Sequence, residues 1–149
     1  MPFRHPAFLT RLAPFAGTVL RIAMGIVFFA HGMQKLNNGV GGFAGFLGSL
    51  GVPLPELMAW VVTILEIGGG ILLIAGLGTR IVSVVFAIHM IFAIVLVKTD
   101  VGLIGDQATG AEIDLMLLAG AIALVLMGPG ALAADSAIGL EPKHQLSGV

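Results

Sequence analysis

Arg21, His31, Lys35, Glu66 and His89 carry side chains fit for ion pairing or proton exchange, and all stand within or beside long apolar runs. Ionisable groups in such surroundings are costly, and they mark functional sites or internal pairs. Three of them share one stretch, RIAMGIVFFAHGMQK (21–35), and two further acids, Glu112 and Asp114, open the last apolar run. A guanidinium grips a carboxylate through two parallel hydrogen bonds, so Arg21 with Glu66 is the expected intramembrane pair, with His89 beside it. Imidazole and carboxylate form hydrogen bonds and exchange protons, which suits them to proton transfer or to holding a polar head group.

Such residues need a scaffold, and composition sets its class. The chain has 149 residues, is 58% hydrophobic and only 10% charged, and has a mean hydropathy of +1.09. It therefore reads as an integral membrane protein, long enough for about four spans of roughly 20 residues and for little else. The expected fold is all-α: a four-transmembrane-helix bundle forming a single membrane domain over 1–149, with no separate soluble catalytic domain. Seven basic and eight acidic residues leave no basic stripe, so nucleic acid is not an expected partner. With no cysteine, thiol–disulfide chemistry, iron–sulfur ligation and zinc-thiolate sites are excluded, and any redox work needs a bound cofactor or a partner.

Hydropathy and breakers predict spans over about 15–36, 56–76, 80–98 and 111–128. Arg21 interrupts any apolar signal core, so the first span reads as uncleaved. Between the first two spans, Val40, Phe43, Ala44, Leu47 and Leu50 recur at helical spacing, which predicts a short interfacial helix over 40–50 before Pro53 and Pro55 turn the chain. The tight LGTR link makes spans two and three an antiparallel hairpin, GPG at 128–130 stops the fourth, and 139–149 is a polar tail. Arg4, Arg11, Arg80 and Lys143 fall on one side against Lys35 and Lys98 on the other, which predicts cytoplasmic N- and C-termini.

On the ~1.5 Å rise per residue, Arg21 falls ~9 Å inside the cytoplasmic edge, while Glu66 and His89 fall near ~15 Å, within an arginine's reach. His31 falls at ~24 Å, level with Asp114 and just below Glu112 and Lys35, which predicts a second, outer-half polar cluster. Each cluster has a plainer reading: an Arg–Glu pair can serve only to fix helix register, and Glu112 with Asp114 can be a solvated helix start. The ~9 Å offset between His31 and His89 argues against a bis-histidine haem. No metal site is expected. Gly25, Gly32, Gly68, Gly69 and Gly70 are expected to let helix backbones approach closely.

LRIAMGIVFFAHGMQKL, LEIGGGILLIAGLGTR and AEIDLMLLAGAIALVLMGPG together resemble the DoxX family of small four-helix membrane proteins, over nearly the whole chain from Leu20 to Ile138. The resemblance implies a multi-pass protein of a prokaryotic cytoplasmic membrane and a membrane-associated oxidoreductase component, since the similar DoxD subunit belongs to a thiosulfate:quinone oxidoreductase. Arg21, Lys35, Glu66 and Glu112 match the family's polar pattern. Two functions follow: a redox-associated, quinone-linked subunit, or a non-catalytic accessory subunit on the flank of a larger membrane complex. A small lipophile carrier is the weaker third, because no inverted repeat is evident. In each case the partners are the lipid bilayer and other membrane protein subunits.

Overall fold

Apolar runs in lipid must satisfy their backbone groups internally, and helices do this within one segment. The structure, a computed structural model, describes residues 7–99, 101–105 and 110–141 and contains no strand among them. The order is α1 (Ala7–Leu12), a short 3-10 turn (Ala13–Phe15), α2 (Ala16–Asn37), α3 (Val40–Ser49), α4 (Pro55–Ala75), α5 (Thr79–Val97), α6 (Glu112–Met127) and α7 (Ala134–Ala137). Arg4, Lys143 and the tail beyond Glu141 lie outside the described residues.

Three helical stretches are long and apolar enough to cross a membrane: Ala13–Asn37, Pro55–Ala75 and Thr79–Val97. α6 is equally apolar but has 16 residues, about 24 Å of helix against a hydrocarbon core of about 30 Å. It ends where Gly128 and Gly130 turn the backbone through positive φ on either side of Pro129. α3 buries Val40, Ala44 and Leu47 against Ala59 of α4 and leaves its glycines exposed.

The main packing joins α2 to α4, and α5 to α6. Lipid supplies no hydrophobic drive between helices, so close contact of small residues must hold them together. A Cβ at Gly25 would lie 2.8 Å from the Gly70 carbonyl oxygen, and one at Gly32 would lie 2.9 Å from the Ile67 nitrogen. Those contacts run in opposite chain directions, so α2 and α4 are antiparallel in a fixed register. Gly69 serves differently, leaving room for the Phe86 ring, 2.7 Å from where its Cβ would sit. Gly68 departs from the expected packing role, because nothing lies within 4 Å of that position. The reason is rotational: neighbouring positions on a helix point about 100° apart, so a run of three glycines cannot all face one partner.

At the centre Phe28 and Phe86 stack with ring centroids 3.6 Å apart and planes 3° from parallel. Met24, Leu73, Met90, Ala121 and Leu124 complete this core. Outward positions such as Ile81, Phe92, Met116 and Leu126 are more than half exposed, as apolar lipid-facing side chains would be.

Candidate functional site

α2 carries polar side chains at two levels, and the structure gives them different partners. Arg21, 1% exposed, sits beside the end of α4 and the loop after α6. Its Nη1 donates to the carbonyls of Leu73 (2.7 Å) and Ile74 (2.6 Å), its Nε donates to that of Pro129 (2.9 Å), and its Nη2 donates to that of Leu132. The final carbonyls of a helix lack intrahelical donors and carry partial negative charge, so a buried guanidinium there satisfies both needs. Gly76, at φ +71°, leaves the space in which the guanidinium lies.

Asp135 of α7 continues this clamp. Its two carboxylate oxygens accept from the backbone amides of Gly78 (2.6 Å) and Thr79 (2.9 Å), capping the start of α5, while its own amide donates to the Gly76 carbonyl at 2.9 Å. Arg80 donates to the Val125 carbonyl at the end of α6 and pairs with Glu141. Sequence reasoning passed over Asp135; the available signal was an acid placed alone in a small, apolar segment, opposite a helix start joined by the short LGTR link.

The expected Arg21–Glu66 pair therefore does not form. Glu66 is held from the other end of α2: Lys35 Nζ donates to Glu66 Oε1 at 2.9 Å and to Oε2 at 2.7 Å. The glycine register explains the exchange, because Gly32 packs beside the Cβ of Glu66 at 3.0 Å, about 16 Å of helix beyond Arg21. The structure does bring His89 to Glu66, with Nε2 3.4 Å from Oε1. The Lys35 ammonium also lies 5.0 Å from the centre of the Phe43 ring, within cation–π range.

This trio lies on the wall of a half-open cavity of about 460 Å³ bordered by α2, α3, α4, α5 and α6. Phe28, Phe43, Phe46, Met58, Val62 and Met90 supply much of its apolar lining, and Val52 and Pro53 border it after α3. His31, Lys98 and Asp114 also line it. His31 Nδ1 lies 2.8 Å from the Val27 carbonyl oxygen one turn back. Of the outer-half residues expected together, then, Lys35 joins Glu66 instead, His31 and Asp114 face the same space, and Glu112 stands apart. Glu112 Oε2 is buried beside Gly110 with no hydrogen-bond partner among the described residues. No group of three or more His, Asp and Glu side chains among the described residues is arranged to hold a metal ion.

A large apolar space with a few convergent polar groups is the usual form of a small-molecule site. Here the polar groups can both donate and accept, and the walls can take an aromatic or alkyl body.

Known proteins place this arrangement in context. The chain is 44% identical over 117 residues to a Bacillus subtilis (strain 168) protein named "Putative oxidoreductase CatD", covering 78% of this chain and 82% of that one. It is 30% identical over 121 residues to "Inner membrane protein YphA" of Escherichia coli (strain K12), covering 78% of this chain and 86% of that one. No solved structure gives a significant match. The DoxX family model matches residues 16–99, a segment that carries Arg21, Lys35, Glu66 and His89 together with the glycines that set their levels, and the chain belongs to the DoxX family.

Proposed function

We propose that this membrane protein is a redox-associated subunit that holds a quinone-type head group in the cavity walled by Lys35, Glu66 and His89. The observation that carries the reading is the joining of a buried carboxylate, an ammonium and an imidazole at the wall of a largely apolar space of about 460 Å³. A quinone needs a donor for its ring oxygen, a proton source beside that donor and apolar walls for ring and tail. The name of the Bacillus relative lends support to a redox setting. The chain itself supplies head-group binding and proton exchange, and electrons come from a partner subunit.

In the same reading, residues 1–149 form one membrane domain in a prokaryotic cytoplasmic membrane, α6 is the fourth span, and α3 lies in the interface as a cover for the cavity. α6 is short for that task, and the loops at its ends extend its reach. The helix ends near Arg11 and Arg80 face the cytoplasm.

The test is thermal unfolding of purified protein with and without an added quinone, alongside extraction of any quinone that co-purifies. Bound quinone, or a rise in melting temperature that Glu66→Gln abolishes while leaving the fold intact, is the expected result. Quinone-free protein whose melting temperature ignores added quinone overturns the reading.

A non-catalytic accessory subunit is the second reading, favoured by Arg21, whose bonds all go to backbone carbonyls and serve the helix register alone. Co-migration with a larger assembly in mild detergent, combined with an inert cavity, would select it.

A further inference from the structure

α4 and α5 run antiparallel from the link at 76–78, and the residues that face each other can be followed turn by turn. At Gly69 the Phe86 ring closes the space between them, 2.7 Å from where a Cβ would sit. One turn further on, Glu66 reaches His89 at 3.4 Å. Beyond that level Met58 and Val62 of α4, and Phe92, Ala93 and Leu96 of α5, line the cavity instead of closing on one another. The two main pairings, α2 with α4 and α5 with α6, thus lie on opposite sides of the cavity, and the seam between α4 and α5 opens toward the α3 end.

Three residues of that seam face two ways. Met58 is 38% exposed, Phe92 59% and Leu96 47%, and each also lines the cavity. Their side chains are apolar, as is that of Val62 beside them, so the seam is a slot through which hydrocarbon can pass between cavity and lipid without meeting a polar group. From the level of His89 to that of Leu96 it is about 10 Å long. The opposite seam, between α2 and α6, carries His31 and Asp114 on the cavity wall, where a hydrocarbon chain would strip water from polar groups and bond none of them. At the α3 end, Phe43, Phe46 and Leu47 border the cavity together with the charged Lys35 and Lys98, which is again poor company for a chain.

Size points the same way. A space of about 460 Å³ suits a drug-sized molecule, so a head group held at Lys35, Glu66 and His89 leaves little room for a long chain. Resting on the quinone reading above, we infer that the ligand is a chain-bearing lipophile drawn from the bilayer, whose tail leaves the cavity between α4 and α5. The chain then stays in hydrocarbon throughout entry and exit, and only the head group changes its surroundings.

The test is photolabelling of the purified full-length chain in lipid nanodiscs with a decyl-tailed para-benzoquinone that carries a diazirine on the tail close to the ring. Label is expected on residues 58–62 and 92–96, and unlabelled decyl-tailed quinone should displace it. In parallel, Leu96→Trp should lower the affinity for the decyl-tailed quinone roughly tenfold more than that for the same ring without a tail, as displacing about two methylene groups would. Ile113→Trp, at an exposed cavity-lining position on the α2–α6 side, should affect both ligands alike. Displaceable label on His31, on Ile113 or anywhere else outside the slot, or equal losses for the two ligands in Leu96→Trp, overturns the exit between α4 and α5 and leaves a quinone site standing. Labelling that unlabelled quinone fails to displace overturns the quinone reading and this inference with it.

Discussion

Arg21 and Lys35 hang their charges on long stems from one helix, and the lean of helical side chains toward the helix N-terminus sends them to different places. Arg21 leans away from the bundle centre, onto the carbonyls that end α4. Lys35 leans inward along α2, and Glu66 leans toward it because α4 runs the other way. A depth count from sequence lets a long stem reach either way along its helix, so it extended Arg21 inward to Glu66 and missed the lysine. The association of Glu66 with His89 was legible, because the short hairpin link fixes their relative heights. For Arg21, replacement by methionine strips donors from four carbonyls. The expected cost is roughly 3 kcal/mol or more, read as a large fall in melting temperature or failure to recover folded protein. An unchanged melting temperature would show that those carbonyls find other donors.

Among the elements, the pairing of α2 with α4 decides where every polar group stands. Its spans were legible from hydropathy because apolar length is a direct requirement of lipid. Its register was not, because register depends on which residue each glycine faces, and across this pair Gly25 meets Gly70 while Gly32 meets Ile67 and Glu66. The same fact separates neighbouring substitutions. Gly32→Leu drives a side chain into Ile67 and should separate Lys35 from Glu66, reducing stability by several kcal/mol, whereas Gly68→Ala meets open space and should be neutral or stabilising by about 1 kcal/mol. Comparing the melting temperatures of the two variants checks this directly, and equal losses would contradict the register.

For the whole molecule, orientation is open to a clean measurement because the chain has no cysteine. Single cysteines at Ser49, exposed at the end of α3, and at Ala137, exposed at the end of α7, report opposite ends of the bundle. With the Arg80 end in the cytoplasm, a membrane-impermeant maleimide added to intact cells should label Ser49→Cys and spare Ala137→Cys until the membrane is opened. The reverse pattern would invert the topology. Charge counting sets four basic residues on one side against two on the other, and one of those two, Lys35, is turned inward to Glu66.

The stacked rings of Phe28 and Phe86, with Met24, Leu73 and Leu124 around them, lie between the cavity and the Arg21 clamp. Phe28 is 1% exposed and Phe86, Leu73 and Leu124 are 0% exposed, so packed side chains fill the space between the two polar levels. A dry, close-packed layer of this kind is costly for any ion to enter, so the clamp at one end and the cavity at the other stand as separate polar compartments.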